Sequence, residues 1–458
     1  MAFALNKNSR LRKSMGDAGA SFLSYGLGGL TRILPHVRTG EWEVEELEPT
    51  SGAKTVANFA NAKRRQLRLD LVLRVDGKCW KITGQLERLK APSGVGSISR
   101  TISLRERDIA ARVLTALSRT LGPASPETTS SLLALRPSFD ERVVAAHLVD
   151  HHHLDIELGE WLASMRQLSE QTYENKALAF GCIIETKTKT RPTQGTQFPL
   201  DFLTRKRYRA LSDAYRTAYV VSARGALMGF RELRMSPTSG NHFFPEWCED
   251  LAAHSTSGKI GLALTRHGDI LILDDGHLTF TYRFGRWQYW NHTHIVDLIR
   301  NSARVQNVPP SLVSHVVRSV YRAALDVSFR RSGGLFVLLR ASKHLHQIVR
   351  HGEAVDDVGR ESLDAAFDRA VTPVKVHSLP RAVLAELAGL DGAVVFSNNG
   401  DLLAYGAILE PKKKGRVTGT EGSRSKAAIG ASNYGLAIKI SSDGDLSVYV
   451  AGKRILTV

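Results

Sequence analysis

Apolar and polar residues alternate through most of LRLDLVLRV, residues 67–75, which is the period of a strand with one buried face. The turn Asp76-Gly77-Lys78 and a second run, CWKITGQL, complete a β-hairpin. The period then changes. ISLRERDIAARVLTALSRTL carries its apolar residues at helical spacing and stops before Gly122-Pro123. LGPASPETTSS reads as a linker, and residues 138–180 read as helix. Short runs follow, ALAFGCIIETKT, AYVVSARGALMGFREL and KIGLALTRHGDILILDDGHLTFTYRFGRWQYW, with turns at His267-Gly268-Asp269 and Asp274-Asp275-Gly276 that predict an antiparallel meander. Beyond them HIVDLIRNSARVQNVPPSLVSHVVRSVYRAALDVSFR gives two helices broken at Pro309-Pro310. GGLFVLLRAS is a strand, and RESLDAAFDRAV and LPRAVLAELAGL are helices. DGAVVFSNNGDLLAYGAIL, residues 391–409, reads as two apolar strands joined at Asn398-Asn399-Gly400-Asp401, and YGLAIKISSDGDLSVYVAG leads to a last short strand.

The expected fold class is α/β in the broad α+β sense: a C-terminal mixed β-sheet flanked by helices, preceded by β-rich and small α+β units. The expected divisions are an N-terminal arm over 1–60, a small α+β domain over 61–122, a linker and helical segment over 123–170, a β-rich middle domain over 171–300 and a C-terminal domain over 301–458.

Composition narrows the class. With 458 residues, 43% hydrophobic and 23% charged, the chain is long enough for more than one core and has the balance of a soluble globular protein. No run approaches the ~18 apolar residues of a membrane span, and the start lacks the apolar core of a signal peptide, so the expected compartment is the cytoplasm. Cys79, Cys182 and Cys248 are far apart and form no CxxC pair, which fits reduced, buried thiols. A formal net charge of +17 calls for acidic partners: nucleic acid, nucleotides or anionic lipid. Walker A, a GxGxxG opening a helix and the nucleophile elbow are all missing, which sets those enzyme classes aside.

A carboxylate, Asp391, stands at the mouth of the hydrophobic hairpin and is followed by a residue without a side chain, Gly392, and then by Ala393. Residues 333–458 resemble the diadenylate cyclase domain at four ordered stations. GGLFVLLRAS is similar to that family's opening strand, and HGEAVDD to its "G..LD" turn. LDGAVVFSNNGDLLAYGAIL matches its Asp-Gly-Ala hairpin, and GSRSKAAIGAS its Gly-Thr-Arg-His-Arg-Ala-Ala motif. The closing AIKISSDGDLSVYVAGKRI is similar to its last strands.

The resemblance implies a chemistry. In that family the ribose 3′-hydroxyl of one ATP attacks the α-phosphate of another to give cyclic di-AMP. Carried over by position, Asp391 would bind Mg²⁺ or Mn²⁺ and activate the hydroxyl, Gly392 and Ala393 would line the ribose side, and Gly422, Ser423, Arg424, Ser425 and Lys426 would hold phosphates. The implied partners are ATP or a cyclic dinucleotide, with a homodimer through this domain because each copy supplies one ATP. Two departures separate the chain from the family pattern. Arg424-Ser425-Lys426 stands in place of Arg-His-Arg, and Gly389-Leu390 stands where the family usually has a histidine. Two cations survive, but lysine offers a point charge where arginine offers a fork. The resemblance therefore leaves open an active cyclase and a catalytically inactive nucleotide sensor.

Other clusters stand out by residue type. His147, Asp150, His151, His152, His153 and Asp155 include a pair of histidines four apart, as in metal-binding helices, but are read as one polar helix face. KRRQLR at 63–68 and TRKRYRALSDAYR at 204–216 are read as solvated basic faces, with nucleic-acid binding as the alternative. Pro411-Lys412-Lys413-Lys414-Gly415-Arg416 is read as a solvated loop, with an extension of the phosphate site as the alternative, and Trp287, Tyr289 and Trp290 as packing, with a nucleobase platform as the alternative.

Overall fold

The computed structural model describes residues 9–48, 51–59, 64–89, 101–121, 134–173, 176–191, 205, 208, 211–234, 242–303, 308–350, 353–355, 375–413 and 422–458. They divide into two compact units, one ending at Trp290 and the other beginning at Asn291. The fold is α+β.

In the first unit, helix α1 (Arg10–Ile33) is opened by Ser9, whose Oγ accepts from the Arg12 amide at 3.2 Å. Residues 10–33, expected as part of an arm, bury Phe22, Leu23, Leu27 and Leu30 in the core. The glycines that make this stretch read as loose permit the packing: a Cβ at Gly26 would lie 2.2 Å from Leu117 Cδ2. A five-stranded sheet follows, made of β1 (Val37–Thr39), β2 (Glu43–Leu47), β3 (Val56–Phe59), β4 (Gln66–Val75) and β5 (Lys78–Arg88). The predicted hairpin is β4–β5, and positive φ at both Asp76 and Gly77 gives it a turn matched to strand twist.

Helix α2 (Leu104–Leu121) packs on β4, and its Glu106 forms a buried ion pair with Arg88. Glu106 also accepts from the Ser103 amide and hydroxyl at 2.8 and 2.9 Å, so its lone pairs are used. The stretch 138–180, expected as helix, is two helices followed by short strands: α3 (Arg136–His152) and α4 (Leu158–Ser169) are separated after a left-handed His153.

Beyond the short ladder of β6 (Thr172–Tyr173) and β7 (Lys176–Ala177) comes a seven-stranded sheet. Its members are β8 (Phe180–Glu185), β9 (Thr217–Ser222), β10 (Leu227–Glu232), β11 (Lys259–Leu264), β12 (Ile270–Asp274), β13 (His277–Arg283) and β14 (Arg286–Tyr289), and helix α5 (Glu249–His254) precedes β11. The order is β10-β9-β8-β11-β12-β13-β14; β8 and β9 are parallel, and β11 to β14 form the predicted meander. One hydrophobic cluster runs from Leu11 through both sheets to Tyr289. Trp287 and Trp290 are buried, and Trp290 Nε1 donates to Thr281 Oγ1 at 2.9 Å, so these rings are packing and present no stacking face. Cys79, Cys182 and Cys248 are buried free thiols. Among the described residues no helix is long and apolar enough to cross a membrane.

His147 lies inside this core, ring edge against Phe280 at 5.7 Å between centroids. Burial, with help from Arg105 and His151, pushes its pKa down to about 3. The folded state therefore takes up this proton far later than the unfolded chain, whose histidine titrates near 6.5. Stability contributed by neutral His147 is complete above that value and falls as pH drops. Between pH 6.5 and 4.5 the loss from this group is expected to be about 2–3 kcal/mol. His147→Gln should flatten that limb in urea titrations at stepped pH. An unchanged slope would show that the group is already solvated.

The second unit begins with α6 (His292–Ala303) and α7 (Pro310–Arg330), the helix pair predicted around Pro309-Pro310. Then come β15 (Gly334–Leu339), α8 (Arg381–Gly389), β16 (Ala393–Phe396), β17 (Leu402–Ala407), α9 (Ser423–Ala431), β18 (Gly435–Ile440), β19 (Leu446–Val450) and β20 (Lys453–Thr457). They make the expected mixed sheet, in the order β17-β16-β15-β18-β19-β20, with β15 and β16 parallel and the other pairs antiparallel. Its central strands are buried on both faces, which is why they read as continuous apolar runs. Phe336, Leu338, Phe396 and Ile438 meet Ile299 of α6 and Val317 of α7 on one face. Leu335, Val337, Val395 and Ala437 meet Ala428 and Ile429 of α9 on the other.

Candidate functional site

The hairpin that begins with Asp391 is β16–β17. At its far end Ser397 Oγ accepts from the Asn399 and Asp401 amides at 3.2 and 3.0 Å and donates to Asp401 Oδ2 at 2.8 Å, while Gly400 takes φ +83. That end is an ordinary hydrogen-bonded turn.

The near end is not. Asp391 stands two residues before β16, near the start of the parallel strand β15, where the antiparallel β18 finishes. Its side chain is fully exposed. Gly392 holds φ +115, and a Cβ there would sit 2.4 Å from the Gly406 carbonyl carbon. Gly406, at φ +57, crosses directly behind, and the pairing slips between Ala393 and Val395. A bulge with two glycines at its root lets the backbone close tightly under the carboxylate. Ala393 is buried in the core, so its methyl faces packing rather than solvent.

Helix α9 supplies the second half. Its cap is Gly422, which makes no side-chain capping bond, and its first turn contains no acid. Arg424 and Lys426 occupy that turn instead, against the preference of a helix N-terminus for negative charge. The arrangement costs helix stability unless an anion arrives to use the amides and cations together. Arg424 is half-buried, and its Nη2 stands 3.7 Å from Asp391 Oδ1. It lies so close to the backbone that a Cβ on Gly333, at φ +69, would come 2.4 Å from Nη1. Ser423 and Lys426 are exposed, whereas Ser425 is buried with its amide donating to the Gly422 carbonyl at 3.0 Å.

Asp391, Gly392, Arg424 and the first turn of α9 are thus brought to one edge of the sheet. Gly333 belongs with them and was missed as a site residue; the only signal was the doubled glycine before an apolar strand, which reads as a strand start. Within the HGEAVDD station only residues 353–355 are described, and Glu353 accepts from the Ile408 amide there. RESLDAAFDRAV and residues 414–416 of the basic loop lie outside the described residues, as does most of 204–210.

An exposed carboxylate, with substrate phosphates completing the shell, belongs to the donor sets magnesium and manganese accept. Asp391 fits it.

No family model matches the chain, and no curated protein matches it. Among solved structures, one described as the hypothetical membrane spanning protein from Bacillus cereus is 20% identical over 36% of this chain and 75% of that one, with a TM-score of 0.25. A double-cysteine variant of DacA from Staphylococcus aureus is 19% identical over 31% of this chain and 86% of that one, with a TM-score of 0.21. Both are weak neighbours, and the residues themselves carry the functional reading.

Proposed function

We propose that the second unit binds a nucleotide, ATP or a cyclic dinucleotide, through its phosphates, together with Mg²⁺ or Mn²⁺ at Asp391. The observation that carries this reading is the uncapped first turn of α9, which has two cations and no acid and lies beside an exposed carboxylate held by a glycine bulge. Arg424 and Lys426, with the amides of the first turn, hold phosphate oxygens. The metal neutralises the remaining charge. As a diadenylate cyclase-like nucleotidyltransferase, the unit would join two ATP into cyclic di-AMP, each new 3′-oxygen to phosphorus bond releasing one pyrophosphate; the reaction needs two copies of the unit.

The burial of Ser425 favours a second reading, a catalytically inactive sensor. A buried serine cannot supply the ring donor that the resemblance places there, and losing one donor aimed at the transferring phosphate commonly costs ~10²-fold or more in rate. Ground-state binding needs no such donor.

Calorimetric titration with Mg-ATP and with cyclic di-AMP tests the site. Asp391→Asn keeps shape and removes charge, so the metal-dependent affinity is expected to fall at least about tenfold with an unchanged circular dichroism spectrum. Equal affinity in the variant would remove Asp391 from the site. Incubation of the wild type with ATP and Mn²⁺, read by mass spectrometry, then separates the two readings: cyclic dinucleotide and pyrophosphate mark the enzyme, and bound, unaltered ATP marks the sensor.

A further inference from the structure

In the first unit the fold brings a carboxylate, Asp274, to two adjacent histidines, His151 and His152, that the sequence holds more than a hundred residues away. His151 and His152 end α3, and Asp274 ends β12. One donor atom from each lies within 4.8 Å of the other two. Adjacent helical residues normally diverge by about 100°. Here the two imidazoles stand edge to face with centroids 4.7 Å apart, at the last turn before the left-handed His153 closes the helix. Asp274 is almost fully buried, fixed by the turn through Asp275 and Gly276, both at positive φ.

Both carboxylate oxygens have neighbours, and the atom left over is a ring nitrogen beside them. Arg105 of α2 donates from Nη2 to Asp274 Oδ2 at 2.7 Å and to His151 Nε2 at 3.2 Å, a bond that metal binding through that nitrogen would have to replace. Oδ1 faces His152 Nε2 at 3.1 Å. That ring is nine-tenths buried, and its Nε2 has no well-directed hydrogen-bond partner among the described residues. A buried ring nitrogen set against a carboxylate oxygen without a directed bond is costly unless something sits between them. The separation suits an ion: two ligands at ~2.0–2.1 Å from a tetrahedral centre are ~3.3 Å apart.

We propose that His151, His152 and Asp274 bind a divalent transition metal, zinc being the ion best matched to two imidazoles and one carboxylate. His152 Nε2 and Asp274 Oδ1 are already at chelating separation, and exposed His151 closes the remaining gap by rotating its side chain. Arg105 is the outer partner: it holds Oδ2 and turns Oδ1 toward the ion. His147, one turn before His151, lies parallel to it with ring centroids 5.8 Å apart and stays in the core behind the site. His277, across the β12–β13 register from Asp274, has its Nδ1 taken by the Phe243 amide at 3.3 Å and stays out of the set. Three protein ligands leave one coordination position for water, the pattern of sites in which the ion is reachable from solvent.

The test uses the full chain, stripped with EDTA and dialysed. Zinc alone is titrated against a chromophoric chelator, and cobalt(II) is added in parallel because its visible bands report tetrahedral coordination. One equivalent bound with a tetrahedral cobalt spectrum is expected. Together, His151→Gln and His152→Gln should weaken zinc binding at least 100-fold and abolish that spectrum, with circular dichroism checking the fold. His151→Gln alone, at an exposed position, should weaken it at least tenfold, and it keeps the test valid if the double variant unfolds. Failure of the wild type to take up either metal, or uptake that survives His151→Gln unchanged, overturns the site.

Discussion

Replacing both Arg424 and Lys426 by alanine is expected to weaken triphosphate binding by about 10²- to 10⁴-fold, the largest functional effect the site offers. Each charge-assisted hydrogen bond to phosphate contributes roughly 1.5–3 kcal/mol, and about 1.4 kcal/mol is tenfold in affinity. Arg424 is the stronger of the two, since it is half-buried and laid against the backbone at Gly333, and so loses little freedom on binding. Lys426 is exposed and contributes toward the lower figure. The variant relieves an unfavourable pairing of cations with the positive end of a helix, so the free protein should be no less stable. Competition titrations with ATP and AMP provide the measurement. ATP should lose affinity far more than AMP, and equal, small losses for both would assign these cations to the solvated surface.

Much of the second unit was legible because its strands are buried on both faces. A buried strand shows an uninterrupted apolar run bounded by turn residues, and GGLFVLLRAS, DGAVVFSNNGDLLAYGAIL and YGLAIKISSDGDLSVYVAG each show that pattern. The hairpin β4–β5 was legible for the opposite reason, an alternation interrupted only at Val72. Helix α1 was not. Gly16, Gly19, Gly26, Gly28 and Gly29 lower its intrinsic helix propensity, and the packing that outweighs this involves Leu117, far along the chain. The sites divide in the same way. Asp391 and Arg424 could be picked out by motif, but their 3.7 Å approach depends on a strand and a helix converging at one sheet edge. In the sequence His151 and His152 read as a polar helix face, because Asp274 stands in another element more than a hundred residues on. Ser425 was named as a phosphate ligand, and only the packing of α9 shows that it is buried.

Gly392→Ala carries the largest expected effect on stability, and it bears on why a carboxylate sits at the mouth of a hydrophobic hairpin. Glycine alone adopts φ +115 without strain, so alanine would have to twist the chain between Asp391 and β16. Twisting does not relieve the second conflict. The new methyl would lie 2.4 Å from the Gly406 carbonyl carbon, 2.5 Å from its oxygen and 2.8 Å from the Ala407 nitrogen, all backbone atoms of the paired strand. Neither side can yield cheaply, because Ala393 and Ala407, the next pair in register, are both buried. A cost of about 3–5 kcal/mol follows from strain and overpacking together. Urea denaturation monitored by circular dichroism measures it. Any displacement of the strand start also carries Asp391 away from Arg424, so surviving folded protein should lose metal-dependent nucleotide affinity as well. A variant that keeps both stability and affinity would mean that the bulge is supple, and the tight glycine crossing would then no longer explain how Asp391 is held.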